Sequence, residues 1–171
     1  MEMLIGLFQH MNYFDTKTFE LGDVAFGPGV VSKLQVGKNS SWLNSIHIGI
    51  VPFGGLSKRI GPDTTQRRDY SYVGGMEGKL ESIYSISGWV DLTFIGYYWW
   101  LHTYVGEAGY GLIGLIKPRI TFKLFNNISL GFEHQIYYSD RYPTNFAAVH
   151  SVRTEEKIFL QIFLEEFKFK R

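Results

Sequence analysis

Apolar and polar residues alternate one for one along most of this chain. In "LIGLIKPRITFKLFNNISLGFEHQIYYSDRYP", residues 112–143, Lys117, Arg119, Thr121 and Lys123 take the odd positions, and the even positions from Ile116 to Leu124 are apolar. Beyond Asn126 and Asn127 the alternation resumes. Ser129, Glu133 and Gln135 share one parity; Ile128, Leu130, Phe132 and Ile136 share the other. A period of two belongs to a β-strand, whose successive side chains leave opposite faces. The pattern predicts eight strands, over residues 3–13, 18–36, 42–54, 69–84, 88–104, 111–125, 128–140 and 151–169, with helical periodicity nearly absent.

The connections alternate in length. "GKNSS" (37–41), "SISG" (85–88) and "NN" (126–127) are tight turns of the kind that closes hairpins. Between them lie "FDTK" (14–17), "GGLSKRIGPDTTQRR" (54–68), "VGEAGY" (105–110) and "SDRYPTNFAAVH" (139–150), which are mostly longer. Such alternation predicts an up-and-down meander whose two ends face different surroundings, built as one domain over residues 1–171. The strands are long. At about 11 to 19 residues they exceed the usual 5 or 6, and a tilted strand crossing a bilayer needs about 9 to 11.

Two architectures hold strands like these. A soluble calycin-type lipid carrier turns the apolar face inward; a transmembrane barrel turns it towards lipid and its charges towards the axis. Three features favour the barrel. Aromatics collect near strand ends. Tyr13, Phe14, Phe53, Tyr70, Tyr97, Tyr98, Trp99, Trp100, Tyr104, Tyr110, Tyr137, Tyr138 and Tyr142 lie near the longer connections; Trp42, Tyr84, Trp89 and Phe125 lie near the tight turns. Two girdles are what membrane interfaces select. The polar parity carries both signs at comparable depth, in Glu77, Lys79, Glu81, Asp91, Lys117, Arg119 and Glu133, so that a narrow lumen would let them pair. The chain closes on "IFLQIFLEEFKFKR", with Phe163, Phe167 and Phe169 on one parity. This is similar to the C-terminal signal of outer-membrane barrels, though Lys170 and Arg171 follow the last Phe. Pro118 cannot donate to a ladder, so a bulge or local break is expected there.

With "GPDTTQRRDY", "YYWWLHTYVG", "KPRITFKLFNNISLGFEH" and "YYSDRYP" in view, the chain resembles a Gram-negative outer-membrane β-barrel, of the kind found in uncharacterised families of Bacteroidota-type bacteria. The resemblance implies an all-β, eight-stranded antiparallel up-and-down transmembrane β-barrel in the bacterial outer membrane. Its partners would be outer-membrane lipid and lipopolysaccharide, with an envelope protein as a possible further partner. Met1 is followed by Glu2 and at once by strand-like sequence, so no leader is legible; the resemblance implies a further N-terminal segment, with this chain as the C-terminal barrel part.

Composition changes this picture little. Charged residues make up 19% and aromatics 17%, and the net charge of +1 comes from scattered Lys and Arg, which argues against a nucleic-acid partner. The absence of Cys excludes disulfides and thiolate metal sites. The expected role is structural or recognition, around a closed or narrow lumen, with no cofactor.

Catalysis is not expected. Lipid-modifying barrels of the lipase or deacylase kind place His and Ser two apart on a strand, whereas His134 is followed two residues later by Ile136. The candidates for that alternative are His134 or His150, with Glu133, Ser139 or Asp140. Ser151 adjoins His150, but adjacent strand residues face opposite ways. The five His show no ligand spacing such as HExxH, so no metal site is expected. Arg59, Arg67 and Arg68, in the loop between the third and fourth strands, are candidates for contact with anionic headgroups.

Overall fold

In a computed structural model, residues 1–15, 19–60, 67–106, 109–143 and 149–162 are described. They form eight strands and, among the described residues, no helix: β1 (Glu2–Asp15), β2 (Phe19–Gly37), β3 (Ser40–Ile60), β4 (Arg67–Ser87), β5 (Val90–Val105), β6 (Gly109–Phe125), β7 (Ile128–Pro143) and β8 (Val149–Ile162). One antiparallel sheet joins them in chain order. The alternation therefore located every strand. Its boundaries were short on β3 and β4, which continue to Ile60 and back from Arg67. Arg59 lies in β3, and Arg67 and Arg68 lie in β4, with Arg59 opposite Arg68. These three are strand residues rather than loop residues. The expected final stretch of β8, with Phe163, Phe167 and Phe169, falls outside the described residues.

The three tight turns are two-residue connections, Lys38–Asn39, Gly88–Trp89 and Asn126–Asn127. None of these six residues takes a positive φ. They are therefore not the primed turns that match strand twist unaided. Each hairpin compensates with a register shift in the same place, between Gln35 and Gly37, Ser85 and Ser87, and Lys123 and Phe125. An extra residue on one strand increases local twist, and so restores what the turn lacks.

Prolines sit where the ladder gives way. Pro118 faces Phe94 on β5, but Lys117 and Pro118 drop out of the ladder to β7 while the register continues from Ile116↔Ile136 to Arg119↔Glu133. This is the local break expected there. Pro52 lies in the bulge between Val51 and Gly54. That bulge also switches the inward parity of β3, from His47, Gly49 and Val51 to Gly54 and Leu56. Glycines let aromatics lie flat across the sheet. A Cβ at Gly131 would fall 2.0 Å from the ring of Phe159, its cross-strand partner, and one at Gly114 would fall 1.9 Å from Tyr138.

The sheet curls so far that β1 reaches the opposite wall. Phe14 of β1 stacks on Tyr137 of β7 at 5.2 Å between ring centroids. Among the described residues no ladder joins β1 to β8, so the closing pairing expected of a barrel is not formed there, and the stack of Phe14 on Tyr137 rather than backbone pairing reaches across the seam. Inside, towards the longer connections, Phe14, Leu21, Leu56, Val73, Leu101, Ile113 and Tyr137 pack with Trp99 into an apolar plug. The interior had been expected to be polar. Inward-facing Ile113, Leu115 and Trp99 correct that, and Phe14, Tyr97, Trp99 and Tyr137 leave the expected outer girdle.

Candidate functional site: the polar interior

The outer surface is apolar, and the inner one combines the apolar plug with buried polar side chains. On β3, Ile46, Ile48 and Ile50 are 53, 55 and 57% exposed, whereas His47 between them is 6% exposed. On β7, Leu130 and Phe132 are exposed, whereas Ser129, Glu133, Gln135 and Ser139 are buried. Interior polar groups therefore find their partners among one another and in the aromatic plug. Two clusters form.

The first spans β6, β7 and β8. Arg119 donates through Nε, at 2.9 Å, and through Nη2 to Glu133 Oε2. Gln135 Nε2 donates to Glu133 Oε1, and Lys157 Nζ donates to Gln135 Oε1 at 3.0 Å. Arg119 also lies over the ring of Phe159, 4.7 Å from its centroid. Nearer the tight turns, Lys123 pairs with Asp91 at 2.8 Å. Lys79 lies 3.3 Å from Glu81, and the ammonium groups of Lys79 and Lys117 approach Tyr97 at 5.5 and 5.8 Å from its centroid. All seven residues expected to form an interior charge network are on the inner parity, and five form its ion pairs: Lys79 with Glu81, Asp91 with Lys123, and Arg119 with Glu133. Lys117 engages Tyr97, and Glu77 belongs elsewhere.

The second cluster spans β1 to β5. Glu77, 2% exposed, accepts at Oε2 from Trp99 Nε1 at 3.0 Å and from Asn12 Nδ2 at 3.1 Å. Asn12 Nδ2 also reaches Asp23 Oδ2 at 3.5 Å. The other oxygen of Glu77, Oε1, contacts His10 Nε2 and lies 3.5 Å from His47 Nδ1. The two imidazoles meet edge to face at 4.6 Å. One donor atom from each of His10, His47 and Glu77 falls within 4.8 Å of the others, which makes this trio the one group among the described residues suited to a metal ion.

No sequence spacing announced it. His10, His47 and Glu77 come from three strands and converge only through register and curl. The legible signal was weaker: Glu77 was expected on the inner parity and Trp99 in an outer girdle, whereas His10, Asn12 and Asp23 were not singled out.

The residues considered for catalysis are split between faces. Ser139 and Ser151 oppose each other on the inner parity, and Glu133 is inside with Arg119. His134, 3.8 Å from Glu156, lies on the outer parity, as do Asp140 and His150, which pair at 2.8 Å. The sheet separates His150 from both serines, so these residues assemble no nucleophile–base pair. The chain matches no family model, no curated protein and no solved structure.

Proposed function

We propose that this chain is a bacterial outer-membrane β-barrel with a side-chain-filled lumen that does not conduct, in a structural or recognition role. The observation that carries this reading is the inversion of the faces. Exposed Ile46, Ile48, Ile50, Phe94, Ile116 and Phe132 cover the outside, while Glu77 and Glu133 are buried. A water-soluble fold has no reason to expose such a band, which exceeds what a monomer's surface usually carries. Exposed Trp42, Trp89 and Phe125 at the tight-turn end, and Tyr13, Phe53, Tyr70 and Tyr104 at the other, support girdles at two interfaces.

In hydrocarbon an unpaired strand edge is untenable, so on this reading the β1 and β8 edges close the seam in the bilayer. The apolar plug supports a lumen closed to ions. Lipid and lipopolysaccharide are the partners this reading implies.

Detergent dependence tests it. The purified chain should be monodisperse and folded only in detergent or lipid, and should give no stable channels in planar bilayers. A monomer that stays folded in plain buffer would end the membrane reading; steady conductance would end the closed lumen. A substitution gives the magnitude. Ile48→Lys should destabilise the protein in lipid vesicles by about 2 to 4 kcal/mol, as a cation does on a lipid-facing barrel surface near the midplane. On a water-facing surface the same change should stay within about 0.5 kcal/mol.

A further inference from the structure

Five successive strands bring together donors that their own hydrogen bonds leave incomplete. We propose that His10, His47 and Glu77 form a binding site for a divalent transition-metal ion of the zinc class. Buried polar groups are ordinarily paired, because an unmet donor or acceptor away from water costs free energy. Here His47 is buried and neither of its ring nitrogens has a hydrogen-bond partner. His10 Nε2 and Glu77 Oε1 also lack one; their mutual contact does not have hydrogen-bond geometry. Ligand atoms that gather within 4.8 Å of one another and are left without hydrogen-bond partners suit a shared cation.

One pair already has the spacing, whereas His10 Nε2 and Glu77 Oε1 stand closer together than two ligands of one ion and would part to admit it. Two ligands about 2.0 to 2.2 Å from a tetrahedral ion lie about 3.4 Å apart, and His47 Nδ1 is 3.5 Å from Glu77 Oε1. Two imidazoles and a carboxylate select zinc and its transition-metal neighbours over calcium and magnesium, which prefer oxygen alone.

The surroundings orient the ligands. Trp99 and Asn12 both donate to Glu77 Oε2, so the carboxylate is turned to offer Oε1 as a single ligand atom. Outer partners of this kind fix a ligand and tune its affinity. Asp23, whose Oδ1 is buried without a hydrogen-bond partner, adds a second carboxyl group beside the site. Gly49 leaves the room: a Cβ there would stand 3.0 Å from His47 Cε1 and 3.2 Å from Glu77 Cγ. The site draws ligands from β1, β3 and β4, so an ion would tie the edge strand β1 to β3 and β4, with which it shares no ladder. None of this depends on the membrane reading, because the trio faces inward in either setting.

Co²⁺ is the probe. Stripped with a chelator and folded in detergent, or in buffer if it needs none, the full chain should bind one equivalent. A visible ligand-field band should appear, and one equivalent of Zn²⁺ should abolish it. His10→Ala, His47→Ala and Glu77→Gln should each weaken binding at least tenfold, and Trp99→Phe by about 10- to 100-fold. His134→Ala and His150→Ala should leave it unchanged. Where a ligand variant does not fold, Cu²⁺ bound to the wild-type chain decides, by electron paramagnetic resonance. Coupling to two nitrogens supports the site; coupling to none, or to His134 and His150 by their substitution, overturns it. Binding of Co²⁺ and Zn²⁺ no tighter than in the His10→Ala/His47→Ala double variant also overturns it, and leaves an ion pair between His10 and Glu77.

Discussion

The interior holds two polar clusters that solve the same problem differently. In the Arg119–Glu133–Gln135–Lys157 cluster, each carboxylate oxygen of Glu133 receives a donor, and cations balance the charge. In the cluster around Glu77, two carboxylates and two imidazoles share, among the described residues, only Asn12 and Trp99 as donors to oxygen, and five buried atoms there are left without a hydrogen bond. The ammonium of Lys79, on the same face of β4 as Glu77, is occupied by Glu81 and Tyr97. The comparison teaches that a narrow interior tolerates charge in two ways. It can neutralise charge internally, and then the cluster is a fixture; or it can leave ligand atoms uncompensated, and then the cluster calls for a guest.

The largest effect should come from the self-sufficient cluster. Arg119→Ala strands a buried Glu133 and should cost about 3 kcal/mol in urea unfolding, because breaking a buried pair leaves a charge without a partner. The double variant Arg119→Met/Glu133→Leu should recover most of that loss, since a hydrophobic replacement of both partners is often neutral. If it does not, the cluster has a role beyond its own neutrality.

Glu77→Gln sharpens the contrast. In the chelated protein it should change stability by no more than about 1 kcal/mol, and in the stabilising direction, because an amide keeps an acceptor for Trp99 and Asn12 and adds a donor. With Zn²⁺ present the sign should reverse, because the wild type alone gains from the ion. A chelated Glu77→Gln as unstable as Arg119→Ala would make the two clusters alike and remove the comparison. The smallest effect is expected at Lys123→Ala. Its pair with Asp91 lies at the wet, tight-turn end, where an exposed ion pair contributes about 0 to 1 kcal/mol. A larger loss would mean that this end is as dry as the centre.

Much of the fold was legible because β-structure writes itself locally. Alternation from Lys117 to Lys123 shows which side chains share a face, whatever their partners, and Lys38–Asn39 and Asn126–Asn127 mark where the chain reverses. Pro118 announced its own gap in the ladder, because proline has no N–H to give. Parity alone also placed Glu77, Lys79, Arg119 and Glu133 on one surface. It erred where a bulge intervenes and where an aromatic sits on the inner parity, as with Trp99, because period two says nothing about what fills the middle.

The sequence by itself determined eight strands, their turns and the division into an oily and a polar face. These depend on neighbours one or two residues apart, where backbone geometry alone dictates direction. Only the tertiary structure decided that, among the described residues, no ladder joins β1 to β8, that an apolar plug caps the interior, and that His10 and His47 lean towards one oxygen of Glu77. Those outcomes depend on register across several ladders and on the curl of the whole sheet. Each ladder adds its own shift, so positions far apart in the chain meet only once every pairing is set.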